Sequence, residues 1–264
     1  MTVDPAEIKA CCAAGYGQDA VALVLGESYH PGGLALTRRL ADSLRLAPGQ
    51  HLVDVASGPG ATARLLAAEF AVTVDGVDLG KSTVERARSS TAEVGLAGSV
   101  RFHLGDAERL PVPDGCADVV VCECAFCTFP NKTAAAAEFA RVLRPGGRVG
   151  ITDVVVTERG LPAELTTLAA WVACIADARP VAGYVDILAT AGLVTTHVEE
   201  HDAALSRMIE QIEARVRLLR MTAAGGLAAA GVDVGAVLRY TSLAGQAVAD
   251  GLIGYRVLVA EKPA

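Results

Sequence analysis

VDVASGPG, residues 53–60, joins an apolar run to a glycine turn. His51–Ala56 is short, apolar and rich in valine, so it reads as a buried strand. Gly58 to Gly60 reads as a turn, and Thr62–Phe70 as a helix. Glycines there let backbone N–H groups approach a ligand closely. Pro59 removes one of those donors, and the third glycine of a dinucleotide fingerprint is missing. The turn alone is therefore weak evidence, and it fits a phosphate cradle poorly.

Outward from this turn the pattern repeats. Strands are expected at Ala71–Val77, Val100–Leu104, Asp118–Cys122 and Arg148–Val156, with helices at Ser82–Val94 and Thr133–Leu143. Strands alternating with helices of about ten residues imply parallel pairing and a doubly wound α/β sheet. Before it, Asp4-Pro5-Ala6-Glu7 starts a helix running to about Ala14, with Asp4 as the cap, and a second helix covers about Leu34–Leu46. Between them Ser28-Tyr29-His30-Pro31-Gly32-Gly33 is a loop. Beyond Val156, Glu164–Ala176 and Tyr184–Ala191 look helical and Val194–Glu199 looks like a strand. Residues 203–250 are alanine-rich and mostly helical by pattern, and Arg256–Glu261 reads as a last strand.

The bulk numbers exclude several classes. The chain has 264 residues, net charge −7 and pI about 5.3, without a basic stripe to neutralise phosphates, so nucleic acid is not expected as a partner. No apolar run approaches the roughly 18 residues that span a bilayer, and the N-terminus lacks the pattern of a signal peptide. The expected place is the cytoplasm, where the seven cysteines stay reduced. Aromatic residues are 4%, too few for a pocket built to stack flat aromatic substrates.

Two carboxylates follow strand ends. Asp78 closes the second strand, and Asp106, in Gly105-Asp106-Ala107, follows the third. Each could cap a helix. Together, at the carboxyl edge beside the glycine turn, they point to a nucleoside site, because open α/β sheets bind ligands along that edge.

VDVASGPG, VDGVDLG, GDAERLPVPDG and RVLRPGGRVGITD, spread over about residues 48–156, resemble the successive motifs of class I S-adenosylmethionine-dependent methyltransferases. The resemblance implies a Rossmann-like, mostly parallel seven-stranded sheet whose last strand is antiparallel, a part that RVLVAE fits. It implies S-adenosyl-L-methionine as cofactor, with Asp54, Ala56, Ser57, Gly58 and Gly60 along its methionine and ribose part. Asp78 and Leu79 would lie at the ribose, and Asp106 and Ala107 at the adenine. Glu123 is read either as a further cofactor contact or as facing solvent. The implied division is residues 1–47 as a helical segment covering the cofactor, 48–156 as the cofactor-binding core, and 157–264 as a substrate-binding region that supplies the last strands.

Residues 122–127, CECAFC, place three cysteines within six positions. Reduced cysteine is commonly a small core hydrophobe, the expected role of Cys116. Cys-x-Cys-x-x-Cys without a second matching pair argues against zinc. The segment running from CECAFC to GITDV resembles that of arsenite methyltransferases, which carry a cysteine eight residues before a lysine, here Cys124 before Lys132. Trp171-Val172-Ala173-Cys174-Ile175-Ala176, followed by Tyr184 and Ala191-Gly192-Leu193, resembles that family's second cysteine segment. The resemblance implies that the thiolates of Cys124 and Cys174 hold trivalent arsenic, a soft centre, in line with the methyl donor. The family's further upstream cysteine has no match here, since Ala61 and Thr62 follow Gly60. Cys11 or Cys12 would substitute by location alone. The expected reaction is methyl transfer to arsenite or methylarsenite, presented as such or as a glutathione or other thiol adduct. The alternative is a small-molecule O-, N- or C-methyltransferase of the same fold whose cysteines are structural. A non-enzymatic metalloid sensor on this fold is disfavoured by the intact turn with Asp78 and Asp106. His30 is read as a loop hydrogen-bonding residue that could also assist catalysis.

Overall fold

A computed structural model describes residues 4–16, 21, 24–25, 29–166, 175, 177–222 and 233–264. Cys174, Trp171 and most of the expected helix Glu164–Ala176 lie outside this set; what is described there is a short 3-10 turn, Ala163–Thr166.

The chain opens with α1 (Pro5–Tyr16) and α2 (Gly33–Ser43). The core then alternates β1 (His51–Val55), α3 (Ala61–Phe70), β2 (Thr73–Asp78), α4 (Lys81–Glu93), β3 (Val100–Leu104), β4 (Ala117–Glu123), α5 (Lys132–Val142) and β5 (Leu143–Val156). The rest adds α6 (Val181–Thr190), β6 (Val194–Glu200), α7 (Asp202–Thr222), α8 (Val234–Ala249) and β7 (Ile253–Glu261). Asp4 caps α1 as expected, its Oδ1 accepting from the Ala6 N–H. None of the described helices is long and apolar enough to cross a membrane.

One seven-stranded sheet runs β3-β2-β1-β4-β5-β7-β6. The first five strands in that order are parallel, and β7 lies antiparallel between β5 and β6. The Rossmann-like sheet with its antiparallel last strand is thus the one expected. The order reverses between β1 and β4, which leaves a crevice at their carboxyl ends.

Period-2 alternation sorts the side chains. Leu52, Val119, Val121, Val257 and Val259 face α2, α3, α4, α7 and α8. Val53, Val55, Val120, Cys122, Val149 and Ile151 face α5 and α6. Central strands buried on both faces read as continuous apolar runs, which is why VVVCE shows no alternation of polarity.

β5 begins five residues before the expected Arg148. Pro145-Gly146-Gly147 reads as a breaker, yet Leu143 still pairs with Ala117 across an irregular ladder. Gly146 N donates to Lys262 O and Lys262 N to Gly147 O, so the segment after β7 holds this stretch in register.

On the face of β1–β3 toward the 105–116 loop, Asp75 sits between two imidazoles. His51 Nε2 and His103 Nε2 are each 2.7 Å from its carboxylate. His51 Nδ1 lies 2.8 Å from the Cys116 carbonyl, so both of its nitrogens face acceptors and the charged ring satisfies both. The His51 bond, opposed by burial and helped by His103, holds Asp75 at about 2. The same bond raises His51 against burial. The Asp75 contribution is complete above its ordinary value of 3.8 and is lost as pH falls through about 2. The His51 contribution is complete below 6.5 and is lost as pH rises through its raised value. Asp75→Asn should therefore lower unfolding free energy by about 1 kcal/mol, after discounting for solvent, in urea titrations near pH 5.5, and by clearly less near pH 9.

Candidate active site

The chain must turn sharply where β1 ends. Ala56 takes φ 57 and Gly58 φ 54, and Gly60, at φ 80, starts α3. A left-handed alanine costs about 1–2 kcal/mol, so the surrounding contacts must hold it. Ser57 N donates to Val77 O, and Gly58 N donates to Asp78 Oδ2 at 2.9 Å. Gly60 is glycine for packing as well as conformation, because a Cβ there would run into the Phe102 ring.

Asp78 is both a turn-former and a wall of the crevice. Its Oδ1 accepts from Gly80 N at 2.8 Å, just ahead of α4. Burial raises its pKa, while the two backbone N–H groups pull it back. Asp54, one residue beyond the Val53 side chain and on the opposite face, is 2% exposed. Its Oδ2 has no hydrogen-bond partner among the described residues, and neither has Ser57 Oγ. Burial first, then Glu123 and Asp78, push Asp54 well above the usual carboxylate range.

Glu123 ends β4 and is not solvent-facing. Thr62 Oγ1 donates to it at 2.6 Å and Thr37 Oγ1 at 3.0 Å, and His30 Nε2 stands 3.4 Å away. His30 also makes the loop bond expected of it, at 3.3 Å between Nδ1 and Pro31 O. This network pins α2, α3 and β4 together at the base of the crevice.

β4 stops at Glu123, and Cys124 takes φ 52. That single left-handed residue breaks the alternation. Cys122 stays in the core toward α5, with its thiol pushed well up by burial, while Cys124 turns to the opposite side and lines the crevice. Cys127 is buried, and Cys116 packs against the core as expected.

α1 closes the top. Lys9, Cys12, Ala13 and Tyr16 fall at helical spacing, so one stripe of α1 faces the crevice. Tyr16 stacks on Tyr29, centroids 6.3 Å apart. Lys9 Nζ donates to Asp106 at 2.8 Å and to Glu108 at 2.6 Å, bonds that raise it against the effect of burial.

Of the residues singled out from sequence, Asp54, Ala56, Ser57, Gly58, Asp78, Leu79, Asp106, Ala107, Glu123, Cys12 and Cys124 meet around this one crevice. Gly60 does not line it, and a Cβ built there would meet the Phe102 ring. Cys11, next to Cys12 on α1, does not line it either, and Cys174 lies outside the described residues. Lys9, Thr37, Tyr29 and Phe129 were not singled out as site residues. Only the α1 spacing could have flagged Lys9.

The residues fit a cationic nucleoside such as S-adenosylmethionine. Asp54 Oδ2 and Ser57 Oγ, buried and without partners among the described residues, sit at the glycine turn, with Asp78 and Asp106 at successive strand ends. Residues 53–151 match the family described as "Methyltransferase domain". This segment is similar to a methyltransferase domain. Relatives match over less than half of their own length. Nocamycin O-methyltransferase of Saccharothrix syringae is 38% identical over 122 residues, 46% of this chain and 43% of that protein. Arsenite methyltransferase of Halobacterium salinarum is 40% identical over 114 residues, 42% of this chain and 29% of that protein. The methyltransferase fold extends further: phosphoethanolamine N-methyltransferase 2 of Haemonchus contortus, solved with S-adenosyl-L-methionine, superposes at TM-score 0.82. That match has 19% identity and covers 100% of this chain and 61% of the other.

Gly60→Ala should cost more than about 2 kcal/mol in thermal or urea unfolding, because strain and the Phe102 overlap add. Ala56→Gly should be neutral or stabilise by up to about 1 kcal/mol, since relief of the left-handed strain exceeds the entropy glycine adds to the unfolded chain.

Proposed function

We propose that this chain transfers a methyl group from S-adenosylmethionine to an uncharged small molecule. The observation that carries the reading is the buried Asp54 carboxyl beside the glycine turn, whose Oδ2 has no partner among the described residues, with Asp78 and Glu123 around it. Such a group is costly unless something fills the crevice and compensates it.

The donor, when bound, supplies an electrophilic methyl carbon on sulfur. The chain's own residues position and shield it: Asp78 and Asp106 at the nucleoside end, the Asp54–Ser57 turn at the methionine end, and α1 above. Excluding water and aligning the acceptor at about 3–3.5 Å is the main catalytic contribution.

The acceptor's charge follows from the wall. Asp54, Asp78, Asp106 and Glu123 line the crevice, whereas Lys9, the one lysine on it, is bound to Asp106 and Glu108. No Lys, Arg or His occurs in the sequence of the segments outside the described residues. A phosphorylated acceptor would meet like charge, so an alcohol, phenol or enol fits better. The bound donor would supply the methyl carbon and keep the electron pair of the bond it loses, while the acceptor's hydroxyl proton would pass to the Glu123 carboxylate, which lines the crevice beside His30.

A second reading, methyl transfer to trivalent arsenic, is favoured by one observation: Cys12, on α1, and Cys124, just after β4, line the same crevice. Arsenic attacks with its own lone pair and needs no base, whereas it does need thiolates.

Calorimetric titration with S-adenosylmethionine tests the cofactor, and binding at micromolar strength that Asp78→Ala weakens at least tenfold is the expected result. Absence of binding would end both readings. The acceptors separate by variant. With the right alcohol or phenol, Glu123→Gln should lower kcat at least 100-fold and Cys124→Ser should change it little. With arsenite and glutathione the order should invert.

A further inference from the structure

We propose that Cys124 and Cys127 form a redox-active dithiol, which thiol–disulfide exchange closes into a disulfide beneath the crevice wall. Neither the cofactor nor the acceptor enters into this pairing, which concerns the two thiols alone.

CECAFC holds three cysteines, and the fold sorts them into one and two. Cys122, still within β4, belongs to the apolar cluster that faces α5 and α6. Cys127 belongs to the cluster on the other face of the sheet, and Cys124 packs against that same cluster while it lines the crevice. The left-handed backbone at Cys124, φ 52, is what moves it across. The pair left on one side is Cys124-Ala125-Phe126-Cys127. Cys-x-x-Cys is the spacing of dithiol oxidoreductases.

The backbone holds the two close together. Cys124 N donates to Thr152 O at 2.6 Å, and Cys127 N donates to Asp153 Oδ2 at 2.8 Å. Both cysteines are thus anchored on adjacent residues of β5. Between them the chain bends and enters a 3-10 turn, Phe126–Thr128, closed by Thr128 N on Ala125 O at 2.9 Å. A tight bend over three steps keeps Cα atoms within about 7 Å. A disulfide needs about 4.4–6.8 Å, so the pair closes with little movement of the backbone.

Exposure divides the roles. Cys124 meets the crevice, where a small disulfide such as oxidised glutathione reaches it, whereas Cys127 is 1% exposed and meets its partner from inside. The Cys124 thiolate attacks one sulfur of the glutathione disulfide, that S–S bond breaks, and one glutathione leaves as thiolate. The Cys127 sulfur then attacks Cys124 Sγ, and the second glutathione departs with the Cys127 proton. Two electrons pass from the two cysteines to the glutathione disulfide. Cys124 is no longer a thiol, so any crevice chemistry that uses its thiolate stops until a reductant reopens the bond.

The test equilibrates the native full chain with excess oxidised glutathione, quenches it with acid, alkylates the remaining thiols and maps the bridges by tandem mass spectrometry. The expected result is a bridge joining Cys124 to Cys127, lost again on treatment with dithiothreitol, with Cys122 left as an alkylated thiol. Cys127→Ala should stop at a mixed disulfide between Cys124 and glutathione, because the second attack has no sulfur to make it. Cys124→Ser should leave Cys127 as a thiol, because glutathione disulfide does not reach it. The wild-type map needs no variant and decides the matter should either one fail to fold. A bridge from Cys124 to Cys12 or Cys122, or Cys124 and Cys127 both alkylated after equilibration, would overturn the proposal. So would a mixed disulfide on Cys127 in the folded Cys124→Ser chain.

Discussion

The end of β1 is the constraint on which the rest depends. This strand is central in the sheet, paired on both edges and buried on both faces, so its exit has one free direction, outward over the carboxyl edge. The chain accepts a left-handed alanine to leave by that route, and then spends Ser57 N and Gly58 N on β2 to hold the bend. Because the order of strands reverses between β1 and β4, the bend opens onto a gap rather than onto a neighbouring strand. The crevice is thus a by-product of topology, and its polarity is set by which side chains the adjoining strand ends release into it.

Those strand ends release carboxylates. Each is handled differently by its surroundings. Asp78 is absorbed into backbone donors, Glu123 into threonine hydroxyls contributed by α2 and α3, and Asp106 into the salt bridge with Lys9. The last of these ties a helix that precedes the sheet to the loop after β3. Partly exposed pairs of this kind contribute little to global stability. The Lys9 contacts matter more as a positional tie, since they set where the Cys12–Tyr16 stripe lies above the crevice.

Much of the scaffold was legible in the sequence. Val100–Leu104 forms β3 with the bounds expected, and the strand ends at Asp78 and near Glu123 fell where the valine runs stop. Valine-rich runs between glycines leave few alternatives for a buried parallel strand. Legibility failed where long-range partners decide. Leu143–Gly147 joined β5 because Ala117 and Lys262 pair with it, against a local Pro-Gly-Gly signal. At the site, strand-end position identified Asp78 and Asp106 and the family resemblance supplied Asp54, whereas the setting of Glu123 depended on Thr37 and Thr62, 86 and 61 positions away. Simple alternation would put Cys122 and Cys124 on one face if β4 ran that far. One positive φ separates them, and nothing in the residue type at position 124 announces it.

The placement of β7 bears on biosynthesis. It fills the slot between β5 and β6, so β6, made some fifty residues earlier, has no neighbour in the sheet until residues 253–261 leave the ribosome. A nascent chain that has reached α7 can already assemble the five parallel strands, yet it carries β5 with one long valine-rich rim open to any passing strand. Shielding of that rim by a chaperone, or its capture by another unfinished chain, is decided in this interval, before the final nine-residue strand zips the two halves together.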